Sequence, residues 1–351
     1  MLAPVIHILP LTSIRHERLL PVNGRVIVHV NQKVTPLDVV AEANFGQHHL
    51  LIDAASALGV QTTVAQDLIQ VKTGQIIARG QVIAQRIGLI PQILRAPASG
   101  RVILVGNGRV LMVVGEETFE LRAGIPGMVS RHITERGVEI LFTGALVQGV
   151  WGNGQMGLGL MLPVTETPSE VLSIERIDVG LRGSVLLAAY CNDAAVLEAA
   201  GDMPVRGMIL GSLSPALIPL ALKMQYPIVV VEGFGPIPMN NSAFKLLTTN
   251  AKREATLNAQ PFDRYSGLRP EIYIPLPVTE ELPVPREEAS FVVGQTVHVT
   301  QSPLPGAVGT LTNLLPGLTT MPSGLHLAAA EIKLESGERI VAPLANLEVI
   351  V

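Results

Sequence analysis

The chain has 351 residues and a formal net charge of −4, from 25 Lys and Arg against 29 Asp and Glu. That length allows two or three compact units with separate cores, and the charge excludes a uniformly basic nucleic-acid binder. A single cysteine, Cys191, excludes an internal disulfide or a cysteine-ligated cluster. Residues 1–11 carry no cationic leader, so the expected location is the cytoplasm.

In chain order, residues 18–164 are dense in β-branched side chains, with Gly or Asn at short intervals, and predict a β-rich unit over residues 1–165. Within it, Leu50, Leu51, Ala54, Ala55 and Leu58 fall at helical spacing before Gly59, a stop signal, and predict a helical insertion near residues 44–70. Pro21-Val22-Asn23-Gly24-Arg25-Val26-Ile27-Val28 is echoed by Pro97-Ala98-Ser99-Gly100-Arg101-Val102-Ile103-Leu104, and a Val-rich half accompanies each, residues 30–41 and 71–84. The echo predicts two quasi-equivalent halves. The uncharged run over residues 143–164 holds six glycines and reads as strands and turns; residues 208–231 are broken by Lys223, Pro215, Pro219 and Pro227. Neither predicts a membrane span.

Residues 71–84, Val-Lys-Thr-Gly-Gln-Ile-Ile-Ala-Arg-Gly-Gln-Val-Ile-Ala, followed by Arg95-Ala96-Pro97-Ala98-Ser99-Gly100-Arg101-Val102, resemble the barrel-sandwich hybrid of biotinyl and lipoyl carrier domains. The resemblance implies turns at Gly74 and Gly80 and strand positions at Val71, Ile77, Val82 and Ile83. Its carrier-lysine hairpin is absent, and Lys33 and Lys72, the lysines of this region, lack the usual neighbours, so neither biotin nor lipoate is implied and no other cofactor is expected. The Ala96-Pro97-Ala98-Ser99-Gly100-Arg101-Val102 segment is also similar to the N-terminal sandwich of quinone-reductase and Rnf-type electron-transport subunits, which implies a scaffold in a redox complex.

Residues 166–262 change rhythm. Apolar runs at 184–191, 205–210, 227–232 and 254–259 alternate with helical patterns at 193–200, 215–224 and 242–249, started by Asn192 or Asp193, by Ser214 with Pro215, and by Asn240 or Asn241. This alternation predicts a small α/β domain with a mostly parallel sheet. Residues 263–288, rich in proline and ending Arg286-Glu287-Glu288, predict a stiff linker. Residues 289–351 run from Gly294-Gln295-Thr296-Val297-His298-Val299 through Pro305-Gly306-Ala307-Val308-Gly309 to a charged strand and Asn346-Leu347-Glu348. They resemble a KOW-type SH3-like barrel, which implies partners in transcription or translation.

Ligands of a parallel sheet bind beyond the carboxyl ends of its strands, near helix N-termini. That rule selects Asp193, Gly211, Ser212, Ser214, Glu232, Gly233, Gly235 and Asn240 as candidate ligand-binding residues, beside an ordinary reading as turns and caps. Cys191 at a strand end reads as a packing residue, and the adjacent His48 and His49 point about 100° apart on a helix and make no metal face. Positive against negative side chains number 13 to 10 in residues 1–165, 9 to 13 in 166–285 and 3 to 6 in 286–351, and aromatics are 3%. No segment is a basic, stacking surface for nucleic acid. The expected function is a non-enzymatic scaffold that docks on a protein partner; the alternatives are a ligand-binding or enzymatic α/β edge, and the redox scaffold.

Overall fold

The structure, a computed structural model, describes residues 2–45, 48–88, 91–115, 117–263, 267–277, 285 and 289–351. It is mostly β, with 47% of the described residues in strands and 14% in helices. Among the described residues no helix is long and apolar enough to cross a membrane.

The largest sheet has eleven strands. At one end of it Met156–Pro163, Ser184–Cys191, Gly207–Leu213 and Ile228–Phe234 run parallel. The last three are near-continuous apolar runs because both faces are covered. Val185, Leu187, Ile209, Val229 and Val231 pack with Ala243 and Leu247 of the helix Asn241–Thr249. Leu186, Ala188, Met208, Leu210, Ile228 and Val230 pack on the other side with Val196, Leu197 and Ala200 of Ala194–Asp202. Each fully buried aliphatic side chain contributes roughly 1.5–3 kcal/mol. Asp193 accepts from the Ala195 N–H at 3.0 Å and Asn240 from the Ala243 N–H at 2.8 Å, so both helices begin on side-chain caps. The helix expected over residues 215–224 is shorter, a 3-10 turn Pro215–Leu217 running into Ile218–Ala221. Pro227 stands directly before the next strand, Ile228–Phe234.

Two expected boundaries are overturned. The sheet crosses residue 165, since Met156–Pro163 pairs with both Ser184–Cys191 and Glu254–Asn258. The stretch expected as a linker holds a buried strand, Glu271–Pro275, between Gly137–Gln148 and Glu254–Asn258. Pro270 precedes the strand and Pro275 is its exposed last residue, where a missing N–H is tolerated, while Ile272 and Ile274 fill one face and Tyr273 the other. Residues 264–266, 278–284 and 286–288 of that expected linker lie outside the described residues.

The first region contains the same fold motif twice, one copy inserted in the other. Val28, Asn31, Gln32, Val34, Val40 and Ala41 recur as Val71, Gly74, Gln75, Ile77, Ile83 and Ala84, and the three large aliphatics and the alanine of each set are buried. Asn31 N–H donates to Val129 O (2.7 Å) and Val129 N–H to Gln32 O (2.9 Å); Gly74 and Val102 repeat this at 2.7 Å, with Val102 to Gln75 O at 2.8 Å. Val39–Phe45 pairs with Glu117–Arg122 in the outer copy as Val82–Arg86 pairs with Gln92–Arg95 in the inserted copy. The inserted copy, residues 48–115, therefore sits at the hairpin of the outer copy, and it has its own core around Leu58, Ile77, Ile83, Val102 and Met112.

This arrangement changes the expected echo. The counterpart of Gly100–Gly106 is Gly127–Ile133, which pairs with Val34 as Gly100 pairs with Ile77; the counterpart of Arg25–Val26 is the bridge of Ile69 to Ala84. The Pro-x-x-Gly-Arg-Val pattern recurs because the glycine of each lies against a neighbouring backbone. A Cβ on Gly24 would stand 2.2 Å from Glu42 O and one on Gly100 2.1 Å from Val113 O. The helical insertion reduces to Ala54–Leu58 and Thr62–Leu68, the first capped by Asp53 and stopped by Gly59 at φ 61°. Leu50 and Leu51 lie instead on the strand His48–Asp53, paired with Met112 and Leu111; residues 46–47 lie outside the described residues.

The C-terminal unit is a six-stranded sheet, in order Val5–Ile6, Leu347–Ile350, Thr296–Val299, Val308–Leu314, Ala329–Leu334 and Arg339–Pro343, with the 3-10 turn Leu344–Asn346 before the last strand of the chain. Val5 and Ile6, expected in the first domain, join here because Val349 and Ile350 offer a free parallel edge.

Candidate functional site

At the carboxyl ends of the parallel strands the structure gathers Gly211, Ser212, Glu232 and Asn240. Ser212 is fully buried and donates to Ile237 O at 2.6 Å. Glu232 Oε1 accepts from the Asn240 backbone N–H at 2.9 Å and from its amide Nδ2 at 2.5 Å, while Asn240 Oδ1 caps the following helix. A Cβ on Gly211 would stand 2.9 Å from the Met239 Cβ, so glycine here admits the segment 237–240 rather than a ligand. Gly233 and Gly235 take φ of 147° and 104° and turn the chain so that the Gly235 N–H reaches Leu213 O at 3.0 Å. Asp193 is exposed and caps its helix; Ser214 makes no side-chain cap, and its N–H reaches Cys191 O at 2.9 Å. The expected edge is thus split between a buried cluster and outlying caps.

The C-terminal unit lies over this cluster, a relation without a local signal in the sequence. His298 Nε2 stands 3.1 Å from Glu232 Oε2, with both side chains almost wholly buried. Asn241 Nδ2 donates to Glu335 Oε2 at 2.6 Å. Arg269 pairs with Glu348 at 2.8 Å and lies over the Phe262 ring at 4.8 Å. A Cβ on Gly306 would stand 2.1 Å from Ile237 Cγ2, so only glycine permits this contact. With Ser212 and Glu232 engaged by protein groups and covered, the polar atoms at this edge act as structural ties between units.

Other titratable groups are equally committed. Burial pushes the Cys191 thiol up to about 11, which keeps it protonated and unreactive at neutral pH. Tyr273, fully buried, donates to Glu271, which also accepts from Gln148 Nε2 at 3.0 Å; burial and the Glu271 charge raise the phenol well above its ordinary range. Burial, then the charge of Arg18, lowers His16 to about 4. Among the described residues no group of three or more His, Cys, Asp and Glu side chains could hold a metal ion. Open concavities lie elsewhere: a groove of about 740 Å³ on the inserted copy, beside Gly74, Ile76 and Arg101, and one of about 410 Å³ near Glu198, Lys223 and Tyr226.

No protein-family model matches the chain, and a comparison with curated proteins finds no similar sequence.

Proposed function

We propose that the chain is a non-enzymatic modular docking protein. In this reading the two nested copies are barrel-sandwich hybrids without a carrier lysine, the residues from 289 onward form a KOW-like SH3 barrel, and an α/β core joins them. The observation that carries the reading is the engagement of Ser212, Glu232 and Asn240 by one another, by Ile237 O and by His298, which leaves the edge best suited to a ligand occupied by the protein itself. The excess of acidic side chains in residues 286–351 favours a protein contact over RNA for the barrel. The resemblance to KOW barrels points to transcription or translation machinery in the cytoplasm as the setting.

Purification of a tagged full chain from its own cell tests this. The expected result is a stable assembly larger than the chain alone whose composition survives nuclease. A chain recovered alone, with a small metabolite that raises its melting temperature, would replace the docking reading with the ligand-binding alternative.

A further inference from the structure

The inserted copy differs from the rest of the molecule in charge and in surface. Residues 48–115 hold six Lys and Arg, two Asp and no Phe, Trp or Tyr, within a chain whose net charge is −4. Arg109 pairs with Asp53 at 3.2 Å. Among the described residues Lys72, Arg79, Arg86, Arg95 and Arg101 have no carboxylate partner; Arg86 and Arg95 donate to the backbone oxygens of Leu58 and Gly80. In the outer copy, by contrast, Arg25 pairs with Glu42 at 2.7 Å and Arg131 with both Glu17 and Glu139.

The cationic copy also leaves much of one sheet face exposed, with Val113 the buried residue on it. Its four strands run in the order His48–Asp53, Arg109–Val114, Gly100–Gly106 and Ile76–Ile77. Ile77, Val102, Val110 and Met112 point into its core. On the outer face the register places Ile76 beside Arg101 and Arg101 beside Val113, then Leu104 beside Leu111 and Leu111 beside Leu51. Ile76 is 73% exposed, Leu51 63%, Leu104 59% and Ile103 38%. The groove of about 740 Å³ runs along this face between the Thr73–Gly74 turn and Gly115, with Arg101 in its wall. Lys72 precedes that turn, and Arg79 is held next to Gly100 by its N–H bond to Ser99 Oγ at 3.0 Å.

We propose that this face binds an acidic, aliphatic-rich stretch of a partner protein. The inference rests on the docking reading and names the surface and the partner class for it. Arg101, without a carboxylate partner in the wall of a concave aliphatic surface, and Lys72 next to its Thr73–Gly74 turn call for carboxylates spaced among Leu, Ile or Val side chains, which meets both charge and burial. Nucleic acid would leave the aliphatic side chains in water and find no aromatic ring to stack on. A bilayer surface is disfavoured by the groove and by the lack of the Trp and Tyr enriched at membrane interfaces. A second copy of the same face would bring like charges together.

The test uses the full-length chain and fluorescent short peptides that alternate Glu with Leu, Lys with Leu, or Glu with Ser. Vesicles of phosphatidylglycerol and phosphatidylcholine and a single-stranded RNA serve as competing probes. The Glu–Leu peptide is expected to bind saturably, more weakly at high salt. Lys72→Glu with Arg101→Glu, and separately Ile76→Ser with Leu104→Ser, should each weaken it at least about tenfold, the loss of an anchoring contact. These side chains are exposed, so an unchanged melting temperature checks that the variants fold. Absence of Glu–Leu binding, equal binding of the Lys–Leu peptide, insensitivity to both double variants, or preferential binding to vesicles or RNA would overturn the proposal. If the variants still purify in the native assembly, this face is wrong and the docking reading stands; if the unmodified chain forms no assembly, the docking reading itself fails.

Discussion

Glu232 is a buried carboxylate whose partners come from two units, Asn240 of its own sheet edge and His298 of the C-terminal sheet. Removing it alone strands the Asn240 N–H, which costs roughly 1–3 kcal/mol when a buried polar group loses its partner, and empties the space 3.1 Å from His298 Nε2. Glu232→Ala should therefore lower the melting temperature, and Glu232→Ala with His298→Phe should recover part of the loss. Scanning calorimetry of the single and double variants decides it, and strict additivity would contradict a direct coupling. His16 supplies a pH signature. Its value falls from the ordinary 6.5 to about 4 in the folded chain, so the unfolded chain takes the proton first. The neutral ring favours the fold fully above pH 6.5, and that contribution is lost as pH falls towards 4. Urea titrations across this window should show the decline, and it should flatten in His16→Phe.

At the scale of elements, the glycines that open strands are the sharpest sites. Gly100→Ala would set a Cβ 2.1 Å from the Val113 carbonyl oxygen, a backbone atom that cannot move aside, whereas a Cβ on Gly106 meets nothing within 4 Å. The first change should destabilise by roughly 1–3 kcal/mol, as overpacking does, and the second should leave the urea midpoint nearly unchanged. Elements with such local signals were legible in the sequence. The run 184–191 announced itself by eight consecutive apolar or small residues, and the helices by Asp193 and Asn240. One turn recurs in the structure, where Gly74, Gly80 and Gly294 each precede a Gln whose side chain accepts the N–H three residues back, at 3.0, 3.1 and 2.8 Å. Asn31 with Gln32 makes the same turn at φ 66°, without glycine. Relations across distance were not legible. Nothing near Glu271–Pro275 separates a buried strand between prolines from a linker, because its burial is conferred by Gly137–Gln148 and Glu254–Asn258. His298 and Glu232 likewise meet only through the packing of two units.

At the scale of the whole molecule, the inserted copy has its own core and joins the outer copy through adjacent strands of one hairpin. Replacing residues 46–116 with a short connection should leave the remaining sheets folded. Calorimetry should then show the loss of one contribution to the unfolding enthalpy, and near-ultraviolet dichroism should be retained, because the excised residues 46–116 hold no Phe, Trp or Tyr. Collapse of the remainder would contradict separate cores.

The nesting also dictates an order of events. Val39–Phe45 cannot align with Glu117–Arg122 until everything between them has been drawn in, and closing so long a span is slow when its interior is loose. Val82–Arg86 and Gln92–Arg95 are near neighbours and meet early. Once the inner copy is complete, His48 and Val114 stand opposite each other and deliver the two outer strands side by side. Assembly runs from the inside outward, and a lesion that slows the inner copy is inherited by the one that encloses it.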